Sequence, residues 1–107
     1  MIRIDDGGMI SRSVNITKLI TGKLSGTSGE PSHGPDKKIP NGIEVLIKAP
    51  VTNQTDVLIG NSNTDFSSEG FPLSPGENLV ITIKNLKELY YLVQNDADVL
   101  YYLIEQE

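Results

Sequence analysis

Residues 70–77 read GFPLSPGE and run directly into NLVITIK, and this stretch decides the fold. Proline fixes φ and lacks a backbone donor, and glycine weakens a strand, so we expect 70–77 to lie outside regular structure. The alternation that follows predicts a strand over 79–84 with Leu79, Ile81 and Ile83 facing inward. A Pro-Gly corner that leads into a half-buried strand is typical of a small antiparallel β domain turning between sheets.

The same alternation recurs earlier in the chain. It predicts a half-buried strand over 43–49, and the run DVLIG predicts a short strand over 56–60. Leu46 and Val80 fall on the nominally exposed faces of their strands. Exposed apolar side chains of this kind indicate contact with a partner. The inward positions of the 43–49 strand are Ile43, Val45, Ile47 and Ala49.

Two similar segments, LYYLV at 89–93 and LYYLI at 100–104, follow near the end of the chain. Between them 94–98 is rich in turn formers, so we expect the two segments to pair as a β-hairpin. A helix is the alternative, because a spacing of about three turns would stack both units on one face. Aromatic and β-branched enrichment favours the hairpin.

Composition divides the chain into three parts. Residues 25–42 contain four glycines, three prolines and three serines, which predicts a long loop or a disordered link. We therefore expect an N-terminal arm or edge strand over 1–24, a Gly/Pro/Ser-rich loop over 25–42 and a β-sandwich core over 43–107. About six or seven short strands follow, which predicts an all-β fold, an antiparallel β-sandwich or barrel with an extended N-terminal arm.

Length and charge exclude several classes of function. A chain of 107 residues makes one domain, and its net charge of −5 argues against a nucleic-acid partner. The chain has no cysteine, so disulfide and thiolate chemistry are excluded. No apolar run approaches the ~18–20 residues of a membrane span, and the first residues do not follow the pattern of a secretory signal. We expect no membrane partner.

No residue pattern indicates catalysis. His33 is the only histidine and lies in the Gly/Pro-rich loop, where no third group would hold it as a base. The pairs Asp5-Asp6 and Asp96/Asp98 lie beside glycines and in a turn, not across a cleft. We expect Asp96 and Asp98 to accept hydrogen bonds from their own turn amides. The chain is not predicted to be an enzyme.

Residues 61–69 place oxygen-bearing side chains at every second position, which superficially suits calcium. The EF-hand pattern fails, because Phe66 stands where a glycine is required and Pro72 where the bidentate glutamate belongs. A polar loop that avoids burial is the favoured interpretation. We therefore expect no cofactor and no metal.

Four segments follow one another in a recognisable order: GIEVLIKAP at 42–50, VLIGNS at 57–62, GFPLSPGE at 70–77 and LKELY at 86–90. This order resembles a small β module of tailed-bacteriophage structural proteins, over roughly residues 42–104. The resemblance implies a virion component of the capsid decoration or head-fibre type. The doubled LYYL is richer in tyrosine than that module, and residues 1–41 have no counterpart in it.

The resemblance does not say which virion component, and we predict a bacteriophage capsid decoration (cement) protein that binds the major capsid protein on the capsid surface as a trimer or another homo-oligomer. It would be found in the virion, and in the host cytoplasm before assembly. Phe71 and Leu73 could equally belong to the domain's own core. The residues expected to make the contacts are apolar ones of the arm and the corner: Ile2, Ile4, Ile10, Val14, Ile16, Phe71, Pro72 and Leu73.

Two other functions remain open. A carbohydrate-binding module of a phage fibre would use tyrosine rings as a stacking platform. It predicts that Tyr90, Tyr91, Tyr101 or Tyr102 cluster on one exposed flat face. A tail or head–tail connector component is the second alternative, since the same module could serve there.

Overall fold

The structure, a computed structural model, describes residues 3–4, 10–12 and 18–106, with side-chain surroundings for 18–105. Within that part of the chain the regular elements are strands and a single 3-10 turn at Leu86–Glu88. No helix there is long and apolar enough to cross a membrane. The strands are β1 (Arg3–Ile4), β2 (Ile10–Arg12), β3 (Lys18–Leu24), β4 (Pro31–His33), β5 (Val45–Lys48), β6 (Val57–Gly60), β7 (Phe71–Leu73), β8 (Asn78–Ile81), β9 (Tyr90–Leu92) and β10 (Leu100–Gln106).

The main strands form two four-stranded sheets, sheet 1 in the order β3-β10-β5-β8 and sheet 2 in the order β4-β9-β6-β7. Pairing is nested about the β6–β7 hairpin: β5 pairs with β8, β4 with β9 and β3 with β10, all antiparallel. Residues 18–106 are therefore one long hairpin whose two halves wind together across both sheets. That strand order is the jelly roll, a double-sheet antiparallel architecture. The predicted all-β antiparallel fold is confirmed.

The core lies between the sheets and follows the alternation in the sequence. Val45 and Ile47 of sheet 1 are buried, as predicted, and Val57 and Ile59 of sheet 2 are buried as well. Leu79, Ile81 and Ile83 are partly buried and pack against this core. Successive side chains in a strand point to opposite faces, so each buried position leaves its neighbours facing outward.

The corner at 74–77 carries the chain from sheet 2 to sheet 1, as predicted. Pro75 precedes Gly76, whose φ of +90° belongs to the third position of a type II turn, and the Glu77 amide donates to the Ser74 carbonyl at 2.9 Å. The expectation that 70–77 contains no regular structure is wrong for Phe71–Leu73, which form β7. β7 is an edge strand of sheet 2, where the backbone donor that Pro72 lacks is not needed.

The expected hairpin between the two LYYL segments is wrong, although both segments are strands. β9 pairs with β4 and β6 in sheet 2, and β10 pairs with β3 and β5 in sheet 1. The turn-rich residues between them cross from one sheet to the other instead of closing a ladder. Local turn composition alone does not distinguish these two uses of a loop.

The loop predicted over 25–42 contributes more than a connection. It contains β4, and Ile39 within it is buried in the core. Its backbone is also bonded to the second half of the chain, since the Gly34 amide donates to the Leu89 carbonyl at 3.0 Å and the Ile39 amide to the Lys84 carbonyl at 2.8 Å. The burial of Ile39 and these backbone hydrogen bonds offset the conformational entropy that this Gly/Pro/Ser-rich segment loses when it is ordered.

Candidate functional site

The outer face of sheet 1 carries an apolar row that runs across all four strands. The ladder places Leu103 opposite Thr21 on one side and Leu46 on the other, and Leu46 opposite Val80. Leu46 and Leu103 are half-buried, and Val80 is 51% exposed. We call Thr21, Leu103, Leu46 and Val80 the apolar row. The two ends of the row, Thr21 and Val80, are exposed.

Charges of opposite sign lie on either side of the apolar row. On one side of the apolar row, two residues along the strands, Tyr101 lies between Lys23 and Lys48. We call these three residues the basic row. On the opposite side of the apolar row, also two residues along the strands, Leu19 pairs with Glu105. Glu44, the residue directly before β5, lies on the same side. We call these the acidic row. Each row lies about 7 Å from the apolar row, the length of two strand residues.

A second apolar surface lies at the edge of sheet 2. Phe71 is 56% exposed and Pro72 beside it is exposed as well; we call the two the rim. Leu73 is only 2% exposed and pairs with Val57, so it belongs to the core and supplies no contact surface. The contact predicted for Leu73 is therefore corrected by the inward orientation of that position in β7.

The residues predicted for the N-terminal arm are only partly described. Ile4 and Ile10 lie opposite each other where β1 pairs with β2. Ile2, Val14 and Ile16 lie outside the described residues. The predicted contact role of these five side chains stays a prediction.

The tyrosines do not form one platform. Tyr91 is buried, and its hydroxyl donates to the Ser25 carbonyl at 2.6 Å. Burial raises the pKa of Tyr91 above its usual value. Tyr102 is buried with its ring over Gly22. Tyr90 and Tyr101 are the accessible ones, and they lie in different sheets.

Tyr90 lines an open groove on the sheet 2 side. Its ring centroid lies 5.3 Å from that of His33, and the His33 Nδ1 lies 2.7 Å from the Gly34 carbonyl oxygen. The remaining lining side chains come from the loop after β6 and from the 3-10 turn. They are polar: Asn61, Ser62, Asn63, Lys87 and Glu88.

Asp98 is an internal tie, and its partners differ from the prediction. Its carboxylate accepts from the amides of Gln54 and Thr55 at 2.8 and 3.0 Å and from the Thr55 hydroxyl at 2.5 Å, so it bonds another loop rather than its own turn. Burial alone would raise the pKa of Asp98, but these hydrogen bonds outweigh it and hold the pKa below the usual value. The exposed Asp96 likewise reaches elsewhere, accepting from the Ser28 amide at 2.7 Å.

The 61–69 loop uses its oxygens internally. Asp65 accepts from the Ser67 hydroxyl at 2.6 Å and from the Ser67 amide at 3.0 Å, and these bonds lower the pKa of Asp65. The Asn61 side-chain oxygen accepts from the Asn63 amide at 2.8 Å. In the part of the chain that the structure describes, no three histidine, cysteine, aspartate or glutamate residues are grouped as a metal site.

Sequence reasoning found part of the apolar row and missed the rest. It identified Leu46 and Val80, but not Leu103 or the flanking Tyr101. A signal was present, because Tyr101 and Leu103 alternate with the inward Leu100, Tyr102 and Ile104. What was missing was the register that aligns these residues across strands.

Comparison with known proteins adds little to this picture. No family model matches the chain, and no curated protein matches it. Among solved structures the chain is similar to the solution NMR structure of a de novo designed double-stranded β-helix, at 18% identity and a TM-score of 0.46, over 84% of this chain and 100% of that one. The assignment of the jelly roll rests on the strand order alone.

Proposed function

We propose that this protein is a structural component of a bacteriophage virion, a capsid decoration protein that binds the major capsid protein as a homo-oligomer. In this proposal it acts by binding and not by catalysis. The rim makes the contact with the shell, together with the apolar residues of the arm. A jelly roll by itself supports many functions, so the proposal depends on surfaces and not on the fold.

The exposed rim is the observation that carries this proposal. Phe71 shares its strand face with the buried Leu73, yet more than half of its side chain is open. Covering an aromatic side chain of this size contributes roughly 1.5–3 kcal/mol, and less for one already partly covered. The rim also lies within the GFPLSPGE corner, which carries the resemblance to phage structural modules.

Co-sedimentation with empty shells tests the proposal. The shells are assembled from the major capsid protein encoded in the same genome, and the full chain is expected to pellet with them in a saturable way. Phe71→Ser should weaken this binding roughly tenfold, corresponding to about 1.4 kcal/mol. Val51→Ser is the matched control, because Val51 is 76% exposed but lies outside the rim.

Each result decides a different part of the proposal. Failure of the full chain to bind shells at any concentration overturns it. If Phe71→Ser binds shells as tightly as the unsubstituted protein, the rim does not contact the shell. Closed rings of the protein in electron micrographs, without binding to shells, would favour a connector component instead.

The groove at Tyr90 favours a second candidate function, glycan binding as a module of a phage fibre. An aromatic ring bordered by amide, ammonium and carboxylate side chains supplies both an apolar face and polar partners for a sugar. Chemical-shift titration with oligosaccharides of bacterial surfaces tests it. Tyr90→Ala should abolish the response and Tyr101→Ala, in the other sheet, should not; no response from the full chain contradicts this candidate.

A further inference from the structure

We infer that the outer face of sheet 1 binds a second copy of this chain across a two-fold axis that runs along the apolar row. The inference deepens the proposed function, because it assigns a surface and a symmetry to the homo-oligomer. It depends on the order of side chains across the sheet, which the ladder fixes residue by residue.

Two-fold symmetry makes a surface meet itself, so the surface must be complementary to its own rotated copy. A rotation about the apolar row keeps each strand facing the same strand of the partner. It exchanges the two sides of the row. Leu46 and Leu103 then meet their own copies, and the basic row of each copy faces the acidic row of the other.

Lys48 and Glu44 show this complementarity within one strand. Lys48 lies two residues after Leu46 in β5, and Glu44, the residue directly before β5, lies two residues before Leu46. Side chains alternate along a strand and Val45 and Ile47 are buried, so these three lie on the outer face of sheet 1. The rotation places Lys48 of each copy over Glu44 of the other, which gives two equivalent ion pairs. A two-fold axis along the strands would instead set lysine against lysine, so charge selects the first arrangement.

The size of the face determines how strong the association can be. Four strands spaced about 4.8 Å and three rows spaced about 7 Å cover roughly 400 Å² per copy, or about 800 Å² in total. Stable specific interfaces bury about 1,200–2,000 Å², so this contact belongs to the weak class. We expect a dimer that forms reversibly at micromolar to millimolar concentration and weakens as salt screens the ion pairs.

Charge reversal at the two positions gives a sharp test by sedimentation velocity over about 1 μM to 1 mM. Lys48→Glu alone and Glu44→Lys alone each create two like-charge contacts in their own dimers. Each should raise the dimer Kd at least about tenfold. An equimolar mixture of the two variants should dimerise again, because both ion pairs are restored between unlike copies.

Two further variants test the apolar row. Val80→Asp should abolish the dimer, and Val80→Thr, which keeps a β-branched side chain, should weaken it only slightly. Unchanged thermal unfolding of the variants shows that folding is intact, since these side chains are on the surface. Neither substitution touches the rim.

Several outcomes would overturn the inference. They are a full chain that stays monomeric up to 1 mM, a dimer indifferent to both charge reversals, and a mixture that fails to associate. If the unsubstituted protein is monomeric and Val80→Asp loses binding to shells, the outer face of sheet 1 contacts the capsid protein instead of a second copy. Phe71→Ser should still dimerise, so loss of shell binding through the rim and loss of the dimer are measured separately.

Discussion

Asp98→Asn removes a charge from a carboxylate that ties two loops together while keeping the shape of the side chain. Asp98 is 1% exposed and accepts three hydrogen bonds, from the Gln54 amide, the Thr55 amide and the Thr55 hydroxyl. An asparagine has a single side-chain oxygen, so it can accept from the Gln54 amide or from the two Thr55 donors, but not from both residues. Its NH₂ group then faces donors on the other side, and at least one buried amide is left without an acceptor.

The structure gives the size of the effect. A buried donor left unsatisfied costs about 1–3 kcal/mol, and the bonds that survive are weaker because their acceptor is neutral. We expect Asp98→Asn to lower the free energy of unfolding by about 2–4 kcal/mol at pH 7. For a domain of about 100 residues this lowers the Tm by roughly 10–25 °C.

The pH dependence of stability provides a second readout. The pKa of Asp98 is lower in the folded chain than its usual value of about 3.9, so between these two values the unfolded chain binds more protons. The stabilisation is therefore complete above the unfolded pKa and is lost as pH falls through the folded pKa. Asp98→Asn lacks this term, and its unfolding free energy should change less between pH 6 and pH 2.

Urea unfolding followed by circular dichroism, at pH 7 and at several acidic values, measures both quantities. Asp96→Asn is the matched control, because the exposed Asp96 of the same loop accepts a single bond, from the Ser28 amide. It should cost less than about 1 kcal/mol. If Asp98→Asn were no less stable than Asp96→Asn, the network would not hold the loops together as described.

Three other substitutions test particular contacts. Gly22→Val puts a side chain where the Tyr102 ring covers Gly22, and should lower the free energy of unfolding by about 2–3 kcal/mol in calorimetry. A stability near that of the wild type would mean that the ring moves aside freely. Gly76→Ala forces a residue with a β-carbon to a φ of +90°, and should cost about 1–2 kcal/mol in urea unfolding; an unchanged midpoint would contradict the type II corner. Tyr91→Phe leaves the Ser25 carbonyl without its 2.6 Å donor and should cost about 1 kcal/mol in urea unfolding. Burial raises the pKa of Tyr91, so the variant should also lose one tyrosine that ionises above its usual pKa in a spectrophotometric titration, and an unchanged titration curve would contradict this.

Those features of the fold that depend on neighbouring residues were predictable from sequence. Alternation identified β5 and β8 and their inward positions, because one side chain in two faces the core whatever the topology. Pro75 and Gly76 predicted the corner, because a type II turn needs their dihedral angles. Pro72 was misjudged, since its place in a strand depends on β7 having a neighbour on one side only.

Pairing between distant strands was not predictable in this way. Within the two four-stranded sheets only β6 and β7 pair as sequence neighbours, and the other ladders there join strands that are not consecutive in the chain. The segment QNDAD was expected to close a hairpin, yet Asp98 within it bonds Gln54 and Thr55. The side-chain partner of a loop residue depends on which loops the winding brings together, and composition does not contain that information.

The candidate site shows the same division. Leu46 and Val80 could be identified as outward apolar residues from their own strands. Their alignment with Leu103, and the opposite charges on the two flanks, appear only when β10 is set between β3 and β5. A surface that runs across strands is therefore hidden in a sequence that is read along them.

The two proposed contacts are compatible because the winding separates them. The apolar row lies on the outer face of sheet 1, and the rim belongs to the edge of sheet 2, so a copy that has dimerised still offers its rim. A two-fold dimer then carries two rims and can bind two places on a repeating shell. The second contact forms within one complex, so its effective concentration is high and two weak contacts combine into tight binding. A dimer face of only about 800 Å² is consistent with this, because copies held close together on a shell need little additional affinity to stay paired.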